Sequence, residues 1–200
     1  PTKDTLNEET AIGLDLGLKH FLIDSNGKKV KNPRFLRKSE EKLKTKQRQL
    51  SKKQIGSNNR DKARKQVAVL YEKTANQRRD FLHKLSTQIV RENQGGICVE
   101  NLNILGMMKN RSTAKSVGDA GWAEFVRQLA YKCEWYGKNL LVIGRFEPSS
   151  KTCSNCQTKN TTLVLSDRKW TCEACLTTHD RDINAAVNIK NFAFNARNIG

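Results

Sequence analysis

Four cysteines in the last third of the chain constrain the fold more than any other feature. They come as two pairs, Cys153-Ser-Asn-Cys156 and Cys172-Glu-Ala-Cys175, with fifteen residues between the pairs. A Cys-x-x-Cys turn presents two sulfurs to one point, and two such turns complete the tetrahedral shell that Zn²⁺ prefers. The spacing predicts a small ribbon around a structural zinc, with Cys153, Cys156, Cys172 and Cys175 as ligands. Four sulfurs leave no open coordination position, so any chemistry must come from other side chains. Cys98 and Cys133 lie in apolar segments, and with metal-type spacing elsewhere this argues for a reducing compartment over a disulfide framework.

The charge pattern narrows the partner. The chain carries 37 Lys+Arg against 20 Asp+Glu, a formal +17. Nearly all of that excess lies in residues 28–91, which hold 21 basic and 5 acidic residues. Such a segment points to a polyanion, with nucleic acid the commonest kind and a basic ribosomal or membrane-surface role the plainer alternative. The segment reads as two helices, Arg37 to Gln54 and Asp61 to about Glu92, broken at Gly56-Ser57-Asn58-Asn59. Leu43 and Leu50 share one face of the first. Val67, Leu70, Tyr71, Thr74, Phe81, Leu85 and Ile89 form an apolar stripe on the second. Lys52, Lys53, Arg60, Lys62, Arg64 and Lys65 are the densest basic cluster and the candidate phosphate contacts; a solvated helical face is the competing reading. No apolar run reaches the ~18 residues a membrane span needs, and no signal-peptide pattern opens the chain. A cytoplasmic location is the expectation. The chain starts at Pro1 without a methionine, which hints at a piece of something longer.

Ahead of the basic segment, Thr10 to Val30 alternates apolar and polar residues around a turn signal at Asn26-Gly27. Strands are expected near 10–16 and 19–25, with a short third strand after the turn. Asp15 interrupts the first of these, where strand propensity and desolvation both disfavour it. Gly13 and Gly17 flank it. Ile97-Cys-Val is a short apolar run of the central-strand type, and Glu100 ends it. A helix from Gly121 to Tyr136 and a buried strand over Asn139–Gly144 follow. Asp182 stands at the start of a helix running from Ile183 to about Phe194. Arg168, Lys169 and Trp170, between the cysteine pairs, are a further candidate contact with nucleic acid or simply an exposed ribbon turn. His179 lies near Cys175, where four cysteines already complete the metal shell.

Strand hairpin, long helices, strand, helix, strand, metal insert and helix is the element order of a ribonuclease-H-like α/β fold. Gly13-Leu-Asp15-Leu-Gly, Val99-Glu100-Asn-Leu, Ser149-Ser-Lys-Thr-Cys153, Cys172-x-x-Cys175 and Asp180-Arg-Asp182-Ile-Asn-Ala-Ala closely resemble the TnpB (OrfB) proteins of bacterial insertion sequences. Those proteins carry a RuvC-like nuclease domain interrupted by a zinc insert and are related to type V CRISPR effector nucleases. The resemblance spans essentially all of residues 10–192. It implies a RuvC-type mixed sheet with helices, interrupted by the basic hairpin 37–93 and a four-cysteine ribbon. The core would be 10–147, the zinc insert 148–178, and the helix completing the core 179–194.

By that resemblance Asp15, Glu100 and Asp182 are the catalytic acids, holding Mg²⁺ or Mn²⁺, with Asp15 bridging. Of the two aspartates near the helix start, the related effectors keep the one two residues before Asn-Ala-Ala, which is Asp182. Asp180 is then an N-terminal charge on the helix dipole. Implied partners are DNA and, in a full-length parent, a guide RNA; no membrane is involved. A non-catalytic nucleic-acid-binding regulator is the alternative function. The sequence departs from the family at Gln157 and Leu176, where a glycine usually follows each cysteine pair. That puts the conformation of the knuckle turns in question. The family's guide- and target-gripping N-terminal domains have no counterpart here. Zinc removal is expected to unfold residues 150–178 and spare the sheet.

Overall fold

The computed structural model describes residues 2–145, 147–164 and 166–196. Five strands form one mixed sheet. β1 (Ile12–Leu16), β2 (His20–Asp24) and β3 (Lys29–Lys31) are successive antiparallel hairpins, while β4 (Ile97–Glu100) and β5 (Leu140–Ile143) run parallel to β1. The strand order is β3-β2-β1-β4-β5. The Asn26-Gly27 turn forms as its residues dictate. Buried Asp24 accepts hydrogen bonds from the amides of Asn26 and Lys28, at 3.0 and 2.9 Å, and Gly27 takes φ 87°.

Alternation along the central strands assigns each residue to one of two layers. Ile12, Leu14, Ile97 and Val99 enter the main core, with Leu82, Leu85 and Ile89 of α2 (Asn58–Glu92) and Phe125 and Leu129 of α5 (Trp122–Trp135). Gly13, Asp15, Cys98 and Glu100 alternate to the other face. There α6 (Arg181–Asn195) lies across the strands, and Cys98 and Ile143 pack with Ile189 and Ala193.

α1 (Phe35–Ser51) and α2 form the basic hairpin. Asp119 caps α1 from a distant part of the chain, accepting the Leu36 amide at 3.0 Å. Ser57 caps α2, accepting the Arg60 amide at 3.2 Å, and so starts that helix three residues before the expected Asp61. The stripe itself is corrected. Leu82, Ser86 and Val90 are buried, whereas Tyr71 is 47% exposed. α2 packs on α1 along its first half and on α5 and the sheet along its second, so its inner face drifts.

Two short helices were not signalled by periodicity: α3 (Ile104–Lys109), capped by Asn103, and α4 (Ala114–Ala120). β5 is the edge of the sheet, not a strand buried on both sides, and its Val142 is 53% exposed. Past β5 the chain forms a two-stranded ribbon, β6 (Lys169–Thr171) and β7 (Thr178–Asp180), which leads directly into α6. Among the described residues no helix is long and apolar enough to cross a membrane.

Candidate active site and metal centre

Asp15 and Glu100 are neighbours because their strands are. β1 and β4 pair in parallel with Leu14 opposite Val99, so the next residue on each strand is an acid, emerging on the face that α6 covers. α6 reaches that face because Gly13 has no side chain: a Cβ there would lie 1.9 Å from the Ala186 carbonyl oxygen. Asp182 is one helical turn before Ala186, and Asp15 is two residues beyond Gly13 on the same face.

Electrostatics agree with this placement. Burial, then the charge of Asp182, then that of Glu100, push the Asp15 carboxyl up to about 7 against the pull of Arg181. Burial also raises Glu100. Asp182 Oδ1 accepts from the Arg181 guanidinium at 3.3 Å and lies 3.5 Å from Arg168 Nη1. The three acids thus share one face and one field, but they are not gathered into a ligand cage. Among the described residues the group compact enough to grip one ion is the four cysteines. The acids are hard oxygen donors whose mutual repulsion a divalent cation would relieve, so they fit Mg²⁺ or Mn²⁺.

The sulfurs of Cys153, Cys156, Cys172 and Cys175 lie within 4.8 Å of one another. Soft donors at this number and closeness fit zinc. Two equivalent knuckles present them. The Gln157 amide bonds the Cys153 carbonyl, and the Leu176 amide bonds that of Cys172, both at 2.9 Å. Gln157 and Leu176 both adopt the left-handed conformation, at φ 62° and 57°. The knuckle turns form without glycine, at a cost of about 1–2 kcal/mol each. The Thr177 hydroxyl and amide hold the Cys175 thiol down at about 5, while burial pushes Cys153 up to about 12.

His179 is the residue that sequence reasoning left without a role. Its Nε2 lies 3.1 Å from Cys153 Sγ, and its ring packs on Trp170 with centroids 4.9 Å apart. In a metal-loaded site it would be an outer partner of that sulfur, of the kind that orients metal sites. Trp170 is buried in the core of this lobe, so its nucleic-acid reading is withdrawn; Arg168 is engaged with Asp182. Asp180 caps α6 as expected, accepting the amides of Asp182 and Ile183, and its Oδ2 takes Lys29 Nζ at 2.6 Å.

The basic cluster surrounds the hairpin tip. Lys52 and Lys53 lie in the α1–α2 connection, and Lys62 and Lys65 are exposed on the first turns of α2. Arg60 differs from these. Its Nη1 donates to the carbonyls of Leu50 and Lys53, at 3.4 and 3.0 Å, closing the end of α1. Arg64 is exposed and pairs with Asp61 at 3.3 Å.

An α/β domain with a mixed sheet, carboxylates at the ends of its central strands and a four-cysteine lobe is the class that fold and site define. Comparison supplies the family. Residues 1–111 match the OrfB_IS605 family, described as "Probable transposase", and residues 122–189 match "Cas12f1-like, TNB domain". The chain belongs to the OrfB_IS605 family. Over 179 residues, 90% of its length, it is 45% identical to a Streptomyces pristinaespiralis protein named "Putative RNA-guided DNA endonuclease", of which it covers 44%. It is 33% identical over 193 residues to the Escherichia coli K12 protein of that name designated InsQ, covering 89% of this chain and 48% of that one. The chain therefore spans less than half the length of these relatives. A chain from a structure titled "Cryo-EM structure of the Cas12f1-sgRNA-target DNA complex" shares its fold, with TM-score 0.66 at 23% identity, over 94% of this chain and 51% of that one.

Proposed function

We propose that this chain is the RuvC-like, ribonuclease-H-type catalytic module of a transposon-encoded RNA-guided DNA endonuclease. The observation that carries the reading is the meeting of Asp15 and Glu100, on one sheet face, with Asp182 at the start of the helix across it, close enough that Asp182 and Glu100 both raise Asp15. Mg²⁺ or Mn²⁺, when bound there, would activate water and stabilise the departing oxygen of a DNA phosphodiester. The residues' own part is to supply oxygen donors from three separate elements. Asp15 sits centrally and must shed its proton to serve, Glu100 and Asp182 flank it, and Arg181 offsets part of their negative charge.

The hairpin tip would hold the phosphate backbone through Lys52, Lys53, Lys62, Arg64 and Lys65, with Arg60 stiffening the turn that presents them. Guide RNA and target DNA are partners proposed for the longer parent protein, by analogy with the relatives' names. The zinc lobe, 148–178, interrupts the nuclease core and does no chemistry itself.

The test is Mn²⁺-dependent nicking of single-stranded DNA by the purified chain, together with binding across a salt series. Weak nicking that disappears in Asp15→Ala, and binding that falls steeply with salt, are expected. Salt-sensitive binding with nicking unaffected by Asp15→Ala would replace this reading with a binding-only regulator.

A further inference from the structure

Two asparagines inside α6 have no place in the chemistry above, yet they are among the most deeply buried polar side chains of the protein. Asn184 is 2% exposed and Asn188 is 0% exposed. Asparagine is a poor helix former, and burying an amide is costly unless its hydrogen bonds are met. Four residues apart, the two share one face of α6 and turn to the same short segment of the zinc lobe.

Asn184 Nδ2 donates to the Thr152 carbonyl at 2.7 Å, and Asn184 Oδ1 accepts the Ser154 amide at 2.9 Å. Asn188 Nδ2 donates to the carbonyls of Ser149 and Thr152, at 2.7 and 2.6 Å. The residues on either side of Cys153, a zinc ligand, are therefore both tied to the helix that carries Asp182. Asn188 Oδ1 has no partner among the described residues. This side chain leaves an acceptor unmet, so what it contributes is its two donated bonds. The Arg181 amide adds a third tie, to the Arg168 carbonyl of the ribbon at 2.9 Å.

We propose that Asn184 and Asn188 are positioning residues, latching the first turns of α6 to the zinc knuckle so that the zinc site sets the placement of Asp182. Asn184 and Asp182 lie within one helical turn, so a knuckle that loses its metal releases the end of the helix where the acid stands. The role assigned to Asp182 rests on the nuclease reading; the latch itself rests on the hydrogen bonds alone.

The experiment uses the zinc-loaded chain and three readouts: bound zinc, amide hydrogen exchange, and Mn²⁺ affinity by electron paramagnetic resonance. In Asn184→Ala, zinc content stays at the wild-type level, exchange at residues 181–186 accelerates roughly ten-fold or more, and Mn²⁺ binds roughly ten-fold more weakly. Asn184→Asp keeps the acceptor for the Ser154 amide but turns a buried carboxylate oxygen on the Thr152 carbonyl, and it recovers neither loss. Retained zinc with wild-type exchange and wild-type Mn²⁺ affinity would overturn the proposal. Should the alanine variant fail to fold, stripping zinc from the wild-type chain decides the matter. Faster exchange at 181–186 along with 150–178 supports the latch, and a response confined to 150–178 overturns it. A wild-type chain that binds no Mn²⁺ would remove the acid-site reading, and the exchange rates would still decide whether the knuckle holds the helix.

Discussion

The two candidate metal sites of this protein are built on opposite principles although one helix serves both. The cysteine site is closed: four sulfurs lie within 4.8 Å of one another, and its two turns are fixed by backbone hydrogen bonds. The acid site is open. Its carboxylates come from β1, β4 and α6, repel one another, and meet arginines. Soft ligands from two local turns can assemble with little help from the rest of the chain. Hard donors from three separate segments reach one face only after the sheet has formed.

The largest effect expected from this contrast is on the cysteine side. Cys172→Ser should abolish stable zinc binding and order in 150–178, because structural zinc contributes apparent free energies of roughly 10–16 kcal/mol in small domains. Zinc analysis and hydrogen exchange check it; a serine variant with full zinc content and a protected lobe would break the contrast.

The acid side should behave in the reverse sense. Asp15 titrates at about 7 in the folded chain, above its ordinary 3.8, so ionising it disfavours the fold. The penalty is absent below the ordinary value, grows as pH rises between the two, and is complete above about 7. Asp15→Asn should therefore stabilise the metal-free acid site at pH 8, by at most on the order of 4 kcal/mol, and the gain should shrink toward pH 5.5. Urea midpoints at the two pH values measure it. A gain that does not depend on pH would show that neither burial nor the neighbouring acids raise Asp15.

A third substitution asks how closely the sites depend on one packing contact. Gly13→Ala places a methyl against the Ala186 backbone and should destabilise the protein by about 1–3 kcal/mol, with α6 displaced. Thermal melts check the size, and no loss would mean that α6 yields without cost. The smallest effect concerns the knuckles. Gln157→Gly and Leu176→Gly should each stabilise the zinc-bound lobe by about 1 kcal/mol, since both residues hold a left-handed backbone. Unchanged resistance to chelators would contradict that.

What the sequence made legible was local. Asp15 stood out because an acid in an apolar strand needs a reason, and the cysteines because of their spacing. β1 and β2 follow from alternation, and β4 from a short apolar run. The short helices α3 and α4 did not, because six or seven residues with Gly106 or Gly118 inside carry too little periodicity. Val142 read as buried because an apolar run does not say whether its strand lies at an edge. Asn184 and Asn188 were visible within a motif, but the partners that explain them are backbone carbonyls and an amide, which every residue type offers alike. His179 was hidden for a similar reason, since its role depends on a sulfur twenty-six positions away.

α2 runs unbroken for 35 residues, about 52 Å at the usual helical rise, from the core beneath β1 to the basic tip. Mechanically it is a lever with a short loaded arm. A tilt of about 5° at Leu82–Val90 would swing the far end through roughly 3–4 Å, about the axial spacing of successive phosphates along one strand. Any load applied at the tip would thus act at the root of the helix as torque.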